Sequence, residues 1–239
     1  MRWWVIGSAL GCFLMAPGGA APKKAPAKPT KKAPAKSAPV KKAAAKPSAS
    51  AKVVVPEHPQ FLRDIAPILD KQGCSIAACH GKFGGRGDFA LSLLTLSPED
   101  DYEPIVLGAR GRRVNLQEPA RSLFLLKAIA EVPHGGGMRF KKDSPEYRTI
   151  LNWLKDGAPY SESDARVQSV VVEPAQSILK VGGSTQLKVT ATWTDGKVED
   201  VTKKAVYAST DEPVAEVSDE GKVTGVRWGG TAIQVRFLG

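Results

Sequence analysis

Three cysteines, three histidines and three methionines are all the sulfur and imidazole donors in this 239-residue chain. None of the cysteines falls in residues 166–239, so that part has no disulfide staple, and Cys74 and Cys79 are left to pair with each other or with a prosthetic group. The longest apolar run, Trp3 to Met15, is too short to span a bilayer as a stable helix. There is no G-x-S-x-G nucleophile elbow, which removes an esterase reading of His134-Gly135-Gly136-Gly137. The loop Gly84-Gly85-Arg86-Gly87 is not followed by Lys-Ser/Thr, so it is no phosphate-binding loop. Asp100-Asp101 and Glu199-Asp200 lack partners arranged for acid–base work. Arg86-Gly87-Asp88 spells an adhesion tripeptide and reads as a chance match. The expectation is a protein that is not an enzyme.

Acidic residues are absent from residues 1–52, and this absence explains the formal net charge of +10. Of the 34 lysines and arginines, 11 lie in residues 1–52 (Arg2 and ten lysines); the remainder carries 23 against 24 acids, a net charge of −1. A nucleic-acid partner needs a basic face on the folded part, so none is expected. Arg2, the apolar run and Gly18-Gly19-Ala20-Ala21 read as a signal peptide over 1–21. Cys12 sits in a poor lipobox, and an uncleaved N-terminal anchor is the rival reading. Residues 22–55 are rich in Lys, Ala and Pro, have little to bury, and read as a disordered, extended linker. The expected location is exported, in the periplasm or at the cell surface.

The rest divides into two patterns. From 56 to 162 the punctuation is helical. Phe61, Ile65, Ile68 and Leu69 share a face, with a bend expected at Pro67. Ser97-Pro98-Glu99 reads as a helix cap, residues 122–130 as a helix, and Ser144-Pro145-Glu146 caps a last helix that Gly157 ends. From 166 to 239 about seven short alternating strands follow, one of them a single run over Thr185 to Trp193, with Asp195-Gly196 as a hairpin turn. The fold class expected is multidomain: a small mostly-α domain and an all-β sandwich behind a disordered linker.

The chemistry concentrates in Cys74-Ser75-Ile76-Ala77-Ala78-Cys79-His80. A cysteine pair ending in Cys-His in an exported chain is the address for one covalent haem c, with both thiols as thioethers and His80 as proximal iron ligand. The usual spacing is two intervening residues, and here there are four. A flexible loop would absorb the excess, and Ser75, Ala77 and Ala78 are small enough to lie against a porphyrin. A Cys74–Cys79 disulfide with no cofactor is the competing reading. Zinc on Cys74, Cys79, His80 and His134 has the right count, but the Cys-His junction argues against it. His58 reads as a surface residue, Trp153 and Tyr147 as core. Arg110, Arg112 and Arg113 form a cationic cluster suited to propionates or to a solvated loop.

Two resemblances add to this. The stretches FLRDIAPILDKQGCSIAACHG (61–81), GRRVNLQEPARSLFLLKAIAEVPHGGGMRF (111–140) and SPEYRTILNWLKDGAPY (144–160) resemble the cytochrome c-like domain of large planctomycete surface proteins. Residues 167–239, with VVVEPAQSILKVGGSTQLKVTATWTDGKVEDVT, resemble a bacterial Ig-like domain of group 2, the intimin/invasin type. The first implies haem binding and electron transfer. It also implies a distal iron ligand ahead of the last helix, where Val132-Pro133 replaces the usual Met-Pro. His134 and Met138 are the candidates, with His134 favoured because HGGG-x-RF resembles the family pattern. The second implies a spacer, or a module that binds an envelope polymer, surface glycan or protein. The redox partner is not legible.

Overall fold

The computed structural model describes residues 54–238. The signal segment, the anchor alternative and the linker, apart from Val54 and Val55, lie outside the described residues.

The first helix is shaped by Pro67. Proline has no N–H to give the carbonyl of Arg63, and its ring crowds that carbonyl. The chain widens into a π-helical turn over Phe61–Ile65 before α1, Ala66–Lys71. The freed Arg63 carbonyl accepts a hydrogen bond from Lys204 Nζ at 3.0 Å. Gly73, with φ +67°, ends α1 in the left-handed region, and Cys74 N–H closes back on Leu69 O at 2.8 Å.

The cap expected at Ser97 does not form: its side chain makes no capping bond. Pro98–Asp101 is a tight 3₁₀ turn, and α2, Tyr102–Val106, starts only after Asp101 has turned inward onto Ser92. α3 is Leu123–Ala128, shorter than the expected 122–130, because Ala130 takes φ +57°. α4, Pro145–Lys155, matches expectation. Ser144 accepts from Tyr147 N–H at 3.3 Å, and Tyr147, Ile150, Trp153 and Leu154 are buried. Phe61 centres the helical core, its ring 5.4 Å from Tyr102, 5.6 Å from Trp153 and 5.6 Å from Tyr160.

The β part has eight strands: β1 Val167–Glu173, β2 Ser184–Gln186, β3 Lys188–Trp193, β4 Val198–Asp200, β5 Val206–Ser209, β6 Ala215–Val217, β7 Lys222–Gly225 and β8 Ile233–Arg236. The pairs are antiparallel and make sheets β1-β3-β4, β2-β7-β6 and β5-β8. The count exceeds the sequence reading because the single run expected over 185–193 is two strands. Leu187 N–H bonds Gly221 O, β2 pairs with β7, and the chain then changes sheet to pair β3 with β1 and β4. Asp195-Gly196 turns as expected, with Gly196 at φ +81°. Val189, Ala191, Trp193 and Val201 form one cluster, Leu187, Ala215 and Val223 another, and Tyr207 and Val235 touch both.

Helical and β parts meet along one charged seam. Arg236 grips the buried carboxylate of Asp70 with two bonds, Nη2–Oδ1 at 2.7 Å and Nε–Oδ2 at 3.2 Å. Lys204 bridges Asp64 and Glu199 at 3.1 and 2.7 Å. Arg63 stacks on the Trp193 ring at 4.5 Å and pairs with Asp195 at 3.1 Å. Lys71 Nζ donates to the carbonyls of Ala205 and Asp219 and lies 5.2 Å from the Tyr207 ring. The helix beneath the Cys-His segment is therefore pinned by the sandwich.

Candidate functional site

A cavity of about 590 Å³ opens beside α1, within the range that cofactor sites occupy. Cys74, Ala78, Cys79 and His80 line it from one side and His134 to Gly136 from another. Leu69, Phe89, Leu123, Phe124 and Phe140 supply apolar wall. Arg86, Arg112, Arg113, Lys127 and Arg139 are its charged lining residues, and none of the lining residues is acidic. An apolar chamber with a wholly cationic set of charges suits an apolar ligand that carries negative charge.

The four-residue spacer is an ordered turn, not a slack loop. Ile76 O accepts from Cys79 N–H at 2.9 Å and Gly81 N–H at 3.0 Å, while Cys74 O accepts from His80 N–H at 3.1 Å. The extra two residues are thus taken up within the turn itself. Ser75 faces away from the cavity: it is buried, and its hydroxyl bonds Thr95 Oγ1 at 2.8 Å. Ala77 is exposed and outside the lining, so of the three small residues expected against a porphyrin only Ala78 is there. Both cysteines are free thiols. Burial pushes the Cys74 thiol up to about 11, against the opposing charge of Arg139. Disulfide exchange runs through thiolate, so this environment slows oxidation at Cys74.

The two histidines face one another. Their ring centres are 6.2 Å apart and their planes differ by 5°. His80 Nδ1 lies 2.9 Å from Phe89 O, and His134 Nδ1 lies 2.8 Å from Gly137 O. A carbonyl oxygen only accepts, so each Nδ1 carries a hydrogen, and a ring in its neutral form then has its Nε2 lone pair for a metal. Burial, with the nearby His134 and Arg113 adding to it, lowers the His80 pKa and favours that neutral form, against bonds to the Phe89 and Arg86 backbones. Gly136 gives His134 its seat: a Cβ there would come within 3.0 Å of the imidazole Cε1. Met138 is 58% exposed and outside the lining.

Behind the Cys-His turn runs Leu91 to Thr95. Leu91 N–H bonds His80 O at 2.6 Å, Lys82 N–H bonds Leu91 O at 2.8 Å, and Leu94 N–H bonds Ser75 O at 2.9 Å. Asp101 holds this segment through Ser92, accepting from its N–H and, at 2.8 Å, from its hydroxyl. Asp101 is fully buried, and burial raises its pKa to about 6 against those bonds and Lys82, with Asp100 adding to the rise. The unfolded chain then releases this proton before the folded one does. Stability from this group is complete below about pH 4 and is lost as pH rises through about 6, roughly 3 kcal/mol in all. Asp70, also raised by burial, acts in the same direction. In urea titrations from pH 4 to 7, Asp101→Asn should lose about 2–3 kcal/mol of the decline seen in the wild type. Parallel wild-type and variant curves would refute it.

The cationic cluster divides. Arg113 is buried, donating to Pro104 O at 3.0 Å and Asp88 O at 2.8 Å and stacking 4.7 Å from the Phe89 ring centre. Arg112 lines the cavity, and Arg110 lies outside the lining on an exposed turn. His58 makes a surface pair with Asp156 at 3.0 Å. Among the described residues no group of three or more His, Cys, Asp or Glu side chains is placed to hold a metal ion, which leaves the four-ligand zinc arrangement unsupported. Sequence reasoning missed Phe89, Phe124 and Arg139. Only Arg139, inside HGGG-x-RF, carried any signal.

No helix of the described residues is long and apolar enough to cross a membrane. The model of the bacterial Ig-like domain (group 2) matches residues 166–236. Ice-binding protein 1 of Shewanella frigidimarina is 32% identical over 71 residues, which are 30% of this chain and 8% of that protein. The chain thus spans under a tenth of the length of that relative. With its strand pairing, the family match makes the C-terminal part of the chain an all-β, Ig-like region.

Proposed function

We propose that the helical part is an exported c-type cytochrome module that carries one covalent haem for electron transfer, and is not a substrate-transforming enzyme. Cys74 and Cys79 would hold the haem as thioethers, each S–H adding across a vinyl double bond. His80 and His134 would hold the iron. The observation that carries this is the histidine pair. Both imidazoles line one chamber with ring centres 6.2 Å apart, and each has its Nδ1 on a backbone carbonyl, so it is the Nε2 atoms that would hold the iron. Bound haem supplies a one-electron couple, and two imidazoles favour a lower potential than an imidazole and a thioether.

The residues present divide the work. Phe89 O and Gly137 O orient the imidazoles, the apolar wall excludes water, and Arg86, Arg112 and Lys127 offer charge to propionates. The Ig-like region would serve as spacer or as a module for an envelope polymer, surface glycan or protein. Trp228, 86% exposed, supports the second role. The haem-free scaffold with a Cys74–Cys79 disulfide is the alternative, and two free thiols lining a largely apolar chamber favour the cytochrome.

Expression with an export signal and a haem-attachment system should give red protein. A Soret band, a haem stain that survives a denaturing gel and a mass increased by one haem are expected. The far-red band of methionine on ferric iron should be missing. Colourless protein with the mass of the bare chain overturns the proposal.

A further inference from the structure

We propose that Arg139 is a positioning residue that clamps the His134 loop to the end of α1 and thereby holds His134 where it would bind the iron; this rests on the cytochrome reading above. Each nitrogen of its guanidinium donates to a carbonyl oxygen, and the two carbonyls belong to separate segments. Nε, at 2.8 Å, and Nη2 both donate to Gln72 O, and Nη1 donates to Gly136 O at 3.1 Å. Its backbone N–H is fixed on Ala128 O at 2.8 Å.

Each contact has a definite consequence. Gln72 closes α1, and the last carbonyls of a helix have no partner within it. Arg139 supplies one, two residues ahead of Cys74. Gly136 is the residue on which the His134 ring rests, so a tie to its carbonyl holds that ring toward His80. The space is tight. A Cβ on Gly73 would come within 3.1 Å of Arg139 Nη2, so a glycine there leaves room for the guanidinium. A planar fork is needed to reach both carbonyls at once, and a lysine ammonium does not reproduce it. Among the described residues no carboxylate pairs with Arg139, so its positive charge remains at the chamber wall. The neighbouring Met138 faces outward, which leaves His134 as the side chain this clamp delivers.

The test compares haem-loaded wild type with Arg139→Gln and Arg139→Lys. Wild type should be low-spin, with little response to added imidazole. Arg139→Gln should keep its covalent haem and its helical circular dichroism. It should also show a high-spin band, a shifted midpoint potential and an imidazole affinity raised at least about tenfold, with imidazole restoring the low-spin spectrum. Arg139→Lys should fall between the two, and carries the test if the glutamine variant does not accumulate. Exchange of the Gly137 amide, bonded to His134 O at 2.9 Å, should quicken in both variants. Variants that are low-spin and imidazole-insensitive like the wild type overturn this inference and leave the cytochrome reading standing. A wild type that takes up no haem removes both.

Discussion

Alanine in place of Arg236 will lower the free energy of unfolding by about 3 kcal/mol. The Asp70 side chain is 3% exposed and Arg236 27%, so the pair is closer to a buried than to a surface ion pair. Burial already raises the Asp70 pKa, with Arg236 and then Lys71 opposing it. Removing the guanidinium leaves a buried carboxylate with only the weaker pull of Lys71 on its charge, so it must take up a proton or draw in water. The loss should therefore be smaller at pH 5 than at pH 8. Asp70→Asn in the Arg236→Ala background should recover much of it, and the double-mutant cycle isolates the coupling. Urea unfolding followed by tryptophan emission reads the effect, since Trp153 lies in the helical core and Trp193 in the sandwich. A loss below about 0.5 kcal/mol would mean that the seam behaves as a solvated surface pair.

That seam was not legible in the sequence. Asp70 reads there as an ordinary polar residue on an amphipathic helix, and Arg236 as an outward residue of the last strand. Only packing of two separately patterned segments brings them together. Local signals did better. Ser144, Pro145 and Gly157 bound α4 because capping and proline placement depend on neighbours a few residues away. Asp195-Gly196 forced its hairpin for the same reason. The expected cap at Ser97 failed because Asp101, drawn to Ser92, shifted the helix start. The run over 185–193 gives no sign that it changes sheets, since alternation looks the same on either side of Leu187. At the site, sequence spacing named Cys74, Cys79 and His80 and left His134 and Met138 open. In the fold His134 lines the chamber and Met138 does not, the His134 ring being seated on Gly136 and bonded to Gly137 O.

Gly81→Ala will be strongly damaging at the site, although it adds one methyl group beside His80. A Cβ there would lie 2.2 Å from Ser75 O and 2.9 Å from the carbonyl carbon of Ile76. Both are backbone atoms, so no side chain can swing aside. Ser75 O is held by Leu94 N–H, and Ile76 O by the N–H groups of Cys79 and Gly81. The turn must open, and with it go the Cys74–His80 bond and the contact of His80 with Phe89 O. Unfolding free energy should fall by about 3 kcal/mol or more, in the range of overpacking at a rigid position. Covalent haem should fall to a small fraction of the wild-type yield. Gly84→Ala is the control: Gly84 has φ +85°, yet its Cβ would meet nothing within 4 Å. Its cost is conformational strain alone, about 1–2 kcal/mol, with the haem yield preserved. Equal effects from the two alanines would show that backbone conformation, and not the close approach under His80, governs this loop.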